Sequence, residues 1–170
     1  GPTLTRGLRM IAVLTAPAGL LLAALAEPAV RVVFDWLSLI GRGLDAERLR
    51  LTVAATAPIG LAVVPLGLHQ LLTRAWYVRG RVRTPIAVAV AFLTLQSLLF
   101  WTLGPRLGVA GLAWGVAASA WVQLVLMLGL TVRREALGLG ALLAHLARVL
   151  VAAAGAGAVA WAVAGAVPAP

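Results

Sequence analysis

Residues 51–73 read LTVAATAPIGLAVVPLGLHQLLT, 23 positions without an Asp, Glu, Lys or Arg. At 1.5 Å per residue a helix carries such a run across the roughly 30 Å apolar interior of a bilayer, which takes about 20 mostly apolar residues. The run is too long and continuous for a strand, and a membrane barrel would show alternating segments of about ten residues. The stretch therefore predicts a transmembrane α-helix. Outward from it, charged residues divide the chain into five such runs: Met10–Phe34, Leu51–Thr73, Thr84–Pro105, Leu107–Val132 and Val149–Pro170. The first alone contains charges, Glu27 and Arg31. The expected fold is an all-α integral membrane protein, a bundle of about five transmembrane helices.

Composition agrees. Of 170 residues 62% are hydrophobic and 11% charged, against about 25% charged in soluble domains. A soluble core of this length could not hide so much apolar surface. Every cation is arginine, a bias that reads as a GC-rich genome rather than a site. The net charge of +9 raises nucleic acid as a partner, but the arginines fall in short clusters between apolar runs. That is the pattern of membrane topology, and no nucleic-acid partner is expected. Without cysteine there are no disulfides, thiolate metal sites or Cys nucleophiles. No Gly-x-Ser-x-Gly elbow, His-Glu-x-x-His helix or Walker loop occurs. The five acids are too scattered for a paired-carboxylate site, so neither enzyme, metal nor cofactor is expected. The chain starts at Gly1 with no signal peptide before the first run, as an incomplete or processed chain would.

The connections set orientation. With the N-terminus cytoplasmic, the inside segments hold Arg6, Arg9, Arg79, Arg81, Arg83, Arg133, Arg134 and Arg148. The outside segments hold Arg31, Arg42, Arg48, Arg50 and Arg106. The bias toward the cytoplasm favours this arrangement. Asp35 to Arg50 reads as an outer loop with a short interfacial helix. Gly104-Pro105-Arg106-Leu107-Gly108 is a tight turn that folds runs three and four into an antiparallel hairpin. Residues 1–135 then carry four spans (10–34, 51–73, 84–105 and 107–132). Residues 136–148 form an amphipathic connector on the cytoplasmic surface, and 149–170 an appended span.

Several polar residues are candidates for contact with a substrate or lipid. Glu27 and Arg31 lie four apart and share a helix face. They either line a hydrophilic cavity or pair at headgroup level. Pro58 and Pro65 loosen run two, as in the broken helices of transporters or the tolerated prolines of ordinary membrane helices. His69 and Thr73 share one face at the inner end of that run, and Gln70 and Arg74 another. His69 could relay protons, but an interhelical hydrogen bond is the commoner role, as for Gln96 and Gln123. Gly111, Gly115 and Ser119, and Ala154, Ala158, Ala162 and Ala166, form small-residue stripes suited to close helix approach. The second stripe could equally accept an acyl chain.

The stretch LLTRAWYVRGRVRTP, residues 71–85, resembles a signature of the MurJ/MviN family. These are lipid II flippases of the multidrug/oligosaccharidyl-lipid/polysaccharide exporter superfamily. In that family a helix ends in an aromatic-Tyr-x-Arg element, and Lys/Arg-Thr-Pro opens the next. Trp76-Tyr77, Arg79 and Arg83-Thr84-Pro85 hold those places here. Leu25-Ala26-Glu27-Pro28 resembles the family's turn before its outer loop, and Gly104 to Ala113 its Pro-Leu-Gly-x-x-Gly-Leu hairpin. Arg148 onward resembles the late helix after the second lobe. Two departures stand out. Arg81 occupies a usually acidic position, and residues 34–41 lack the family's Phe-x-x-Gly-x-Phe form.

The resemblance covers nearly the whole chain, matching about the ninth to thirteenth of roughly fourteen family helices. It implies part of the second lobe of a two-lobe transporter, multi-pass in the bacterial cytoplasmic (inner) membrane and acting by alternating access. Its partners would be an undecaprenyl-linked lipid substrate, anionic lipids and the N-terminal lobe of the same protein. The family's cavity arginines lie mainly in the first lobe and the preceding helix, so their roles transfer to no residue here. Arg79, Arg81 and Arg83 are expected to anchor the inner end near anionic headgroups. Two other readings remain open at this point: a non-transporting membrane scaffold, and an exporter of another polyprenyl-linked glycan or a drug.

Overall fold

The computed structural model describes residues 2–39, 45–134 and 139–166. They form α1 (Pro2–Ala24), α2 (Ala26–Leu39), α3 (Ala46–Val78), α4 (Arg83–Val132) and α5 (Leu139–Ala166). Four of these, all but α2, are long and apolar enough to cross a membrane. α4 is in fact two crossing-length limbs. At Gly108 the backbone leaves helical geometry (φ 60, ψ −138) and the chain reverses. A Cβ on Gly115 would lie 3.0 Å from the Phe100 ring, and one on Gly104 would lie 3.4 Å from Leu112. The Gly111 Cα packs directly on the Leu103 carbonyl. The hairpin expected from the Gly104–Gly108 turn is therefore present, and the bundle has five crossing-length segments.

Several boundaries differ from the sequence reading. α2 continues to Leu39 and α3 begins at Ala46, both inside the expected Asp35–Arg50 outer loop. Run one, expected as a single span from Met10 to Phe34, is divided. α1 starts at Pro2 and ends at Ala24, and a turn at Leu25 leads into α2. Pro28 explains the division: it has no N–H to donate to the Ala24 carbonyl, and its ring crowds that oxygen. Arg6 and Arg9 fall within the first turns of α1, where long side chains can reach the membrane surface. A further difference is at α5, which is continuous from Leu139 to Ala166. Residues 139–147, expected in a separate surface connector, form its opening turns. Leu142 is 1% exposed in the main core, which draws this segment into the bundle. Residues 136–138 and 167–170 lie outside the described residues.

The core is built from stripes of period four. Leu4, Leu8, Ala12 and Ala16 on α1 and Val64, Leu68, Leu72 and Trp76 on α3 are all buried and belong to one cluster with Leu124, Met127 and Leu142. In lipid there is no hydrophobic drive between helices, so association depends on close packing. α1 and α3 supply it by backbone contact. A Cβ on Gly19 would lie 2.6 Å from the Gly60 carbonyl oxygen, and one on Gly60 would lie 2.7 Å from that of Gly19. Gly7 meets Leu71 and Gly67 meets Thr15 along the same seam, so the two helices run antiparallel. On the other side of α3, Ala62 packs with Ala117 and Ala120, and Trp76 bonds Thr131. That register makes α3 and the second limb of α4 parallel. α5 packs on α1, with Gly157 against Leu20 and Ala24. The main contacts thus run in the order α5, α1, α3, α4, with α2 against α3 and α1.

This alternation sorts charge to the two ends. The start of α1, the end of α3, both ends of α4 and the start of α5 share one end, which carries Arg6, Arg79, Arg81, Arg83, Arg133 and Arg134. The opposite end carries every described acid, Glu27, Asp35, Asp45 and Glu47, together with Arg31, Arg48, Arg50 and Arg106.

Candidate functional site

The arginine-rich end is built around the way α3 stops. Gly80 takes φ +68, a left-handed conformation that costs a residue with a Cβ about 1–2 kcal/mol. Its N–H donates to the Tyr77 carbonyl at 2.9 Å, and the Arg81 N–H donates to that of Trp76 at 3.1 Å. These two bonds are a Schellman cap. The cap turns the chain back so that Arg79 and Arg81 line one recess with Trp76. Pro85 falls in the first turn of α4, where its missing N–H has no helical partner to lose.

Trp76 is 3% exposed. Its Nε1–H donates to Thr131 Oγ1 at 2.9 Å, and the Thr131 hydroxyl donates to the Met127 carbonyl at 2.7 Å. The indole is thereby fixed between two parallel helices. The Arg134 guanidinium lies 5.7 Å from the ring centroid, within cation–π reach. Trp76, Arg79, Arg81 and Arg134 line a recess of about 280 Å3. Sequence reasoning pointed to Arg79 and Arg81 but missed Arg134 and Thr131. They are 55 or more positions from Trp76, and only the parallel register of α3 with the second limb brings them together.

The other predicted residues are placed as follows. Arg83 is exposed at the start of α4 and lines a shallow groove with Thr84, Ala87, Val88, Ala91, Leu126 and Leu130. Glu27 and Arg31 pair at 2.6 Å with both side chains 59% exposed, on α2 at the acidic end and apart from the arginine site. His69 is half-buried and its Nε2 lies 3.2 Å from Thr73 Oγ1, so its hydrogen bond is within α3 rather than between helices. Gln70 and Arg74 are exposed on another face of α3. α3 runs through Pro58 and Pro65 as one helix, with both prolines buried, so it is not a broken helix.

The stripe Gly111, Gly115 and Ser119 is buried, with its glycines against the first limb of the hairpin. On α5 the buried small residues are Ala153 and Gly157 rather than the expected alanine stripe. Ala154 and Ala158 are exposed and, with Leu20, Ala23, Ala24, Gly157 and Trp161, line an apolar groove of about 350 Å3 between α1 and α5. Ala166 lies beyond the residues whose side chains are described.

Helix content and span length together define an all-α, multi-pass membrane protein. The family described as Lipid II flippase MurJ matches residues 2–168, and the chain belongs to that family. A curated relative, "Lipid II flippase MurJ" of Burkholderia cenocepacia, is 30% identical over 128 residues, which is 75% of this chain and 24% of the relative. The chain thus spans about a quarter of that relative's length. No solved structure matches it. The family is one of transporters, not enzymes.

Proposed function

We propose that the chain forms part of the second lobe of a lipid II flippase. The complete protein moves an undecaprenyl-pyrophosphate-linked disaccharide-peptide from the inner to the outer leaflet of the bacterial cytoplasmic membrane, for cell-wall biogenesis. Family membership over residues 2–168 carries this reading. The architecture supports it with five crossing-length segments whose arginine-rich turns share one end, which the positive-inside bias puts in the cytoplasm. α1, α3 and α4 belong to the lobe, and α5 is an appended helix bordering it.

In this reading the lobe rocks against an N-terminal lobe of the same protein in alternating access. The driving force is membrane potential or an ion gradient rather than ATP. Arg79, Arg81 and Arg83 stand at the depth of anionic headgroups, where each cation contributes about 1 kcal/mol to surface attraction. The groove between α1 and α5 has the apolar lining that an acyl or prenyl tail needs. Glu27 and Arg31, exposed and paired, act at the outer headgroups and not in a cavity.

The test is depletion and complementation. A strain depleted of its own flippase accumulates lipid-linked precursor. The complete protein carrying this chain is expected to clear the precursor and restore growth. Persistent accumulation with the protein present in the membrane would count against the flippase reading and favour a scaffold.

A further inference from the structure

We propose that Arg79, Arg81 and Arg134, gathered around the Trp76 indole, form a discrete binding site for one phosphate group carried on an anionic lipid headgroup. The recess they line is separate from the apolar grooves and is not simply a charged surface. Its floor is a buried indole locked by Thr131, so the site is held in place before a ligand arrives. Arg134 comes from the far end of α4, while Arg79 and Arg81 come from the Schellman turn after α3. Two chain segments thus converge on one point.

Electrostatics favours an anion there. Two helix C-termini, those of α3 and the second limb of α4, end at the recess and together contribute roughly one negative charge. Against this stand the two full positive charges of Arg81 and Arg134, with Arg79, which has an interaction of its own, beside them. The described acids are all at the opposite end of the bundle, and Glu135, next after Arg134, lies outside the described residues. Among the described residues the side chains of Arg81 and Arg134 make no hydrogen bond or ion pair to a protein acceptor, so their guanidinium donors remain available. Guanidinium groups match phosphate with paired N–H donors, and the apolar indole edge beside them suits the glycerol portion of a lipid. The polar and apolar halves of the recess fit a headgroup better than a free ion. The inference rests on the cytoplasmic placement of this end only for its biological source of lipid.

The experiment is native mass spectrometry of the complete protein in neutral detergent. It is titrated with phosphatidylglycerol, and in separate arms with phosphatidylcholine and with inorganic pyrophosphate as competitor. One phosphatidylglycerol is expected to remain bound, and phosphatidylcholine is not expected to match it. Arg134→Gln and Arg81→Gln should each weaken binding about tenfold, the equivalent of one charge-assisted hydrogen bond. Arg134→Lys should recover part of the loss. Arg50→Gln, at the opposite end, should change nothing. Arg81 stands on an exposed turn, so its variant remains informative if Arg134→Gln fails to fold. Displacement by pyrophosphate would show that the pocket reads phosphate from either source, and resistance to it that the lipid is needed; both support the site. Equal retention by Arg81→Gln, Arg134→Gln and Arg50→Gln, or equal retention of phosphatidylcholine, would overturn it. Binding in micelles does not depend on transport, so this outcome is independent of the complementation result.

Discussion

Gly60→Ala puts a methyl group into the seam between α1 and α3. The new Cβ would lie 2.7 Å from the Gly19 carbonyl oxygen, 2.8 Å from the Ala23 nitrogen and 3.2 Å from its Cα. All three are backbone atoms of a helix, so no side-chain rotation relieves the contact. Bringing the first to an ordinary 3.4 Å moves α1 outward by about 0.7 Å. Overpacking of this kind costs about 1–3 kcal/mol. Separation also weakens the dispersion contacts of Ala12 and Ala16, which are 0% and 1% exposed. The opposing effect is helix propensity, which favours Ala over Gly by about 0.8–1.0 kcal/mol. Packing outweighs propensity over most of this range, and the expected net loss is up to about 2 kcal/mol. Gly129→Ala isolates the propensity effect, because nothing lies within 4 Å of a Cβ there; it should gain up to about 1 kcal/mol. Unfolding by sodium dodecyl sulfate titration in mixed micelles gives both values. A Gly60→Ala protein as stable as Gly129→Ala would refute the backbone-contact seam.

Gly80→Ala should cost about 1–2 kcal/mol in the same titration, from its left-handed backbone alone, since the space around it is open. Thr131→Val leaves the Trp76 Nε1–H buried without its partner and should cost about 1–3 kcal/mol. Combined with Trp76→Phe, it should cost clearly less than the two single losses together; additive losses would remove the hydrogen bond from the account. Glu27→Gln breaks an exposed pair and should change stability by less than about 1 kcal/mol, with a larger loss indicating a buried role.

The crossing segments were legible because each is a long apolar run, and a bilayer demands little more than length and hydropathy. The hairpin was legible from Gly104, Pro105 and Gly108, whose backbone preferences are local. The division of α1 from α2 was signalled by Pro28, but the charges Arg6 and Arg9 drew the first span too far along the chain. The sequence divides α5 at Arg148, the charge that precedes its last apolar run, whereas burial of Leu142 unites it. Helix partners were the least legible. Gly19 and Gly60 pair through tertiary register, and no spacing within either helix announces it. The same holds for Trp76 with Thr131 and Arg134. The aromatic and the arginine turn were visible as an interfacial signal, but their companions from α4 depend on how two distant helices align.

The most direct test of the five-segment bundle and its orientation uses the absence of cysteine from these 170 residues. Single cysteines are introduced as Val82→Cys, Arg133→Cys, Arg50→Cys and Arg106→Cys in the complete protein, freed of any other cysteine. They are then labelled in intact cells with a membrane-impermeant maleimide. The account predicts labelling at positions 50 and 106 from outside, and at 82 and 133 only after permeabilisation. Positions 82 and 106 reacting from the same side would contradict it.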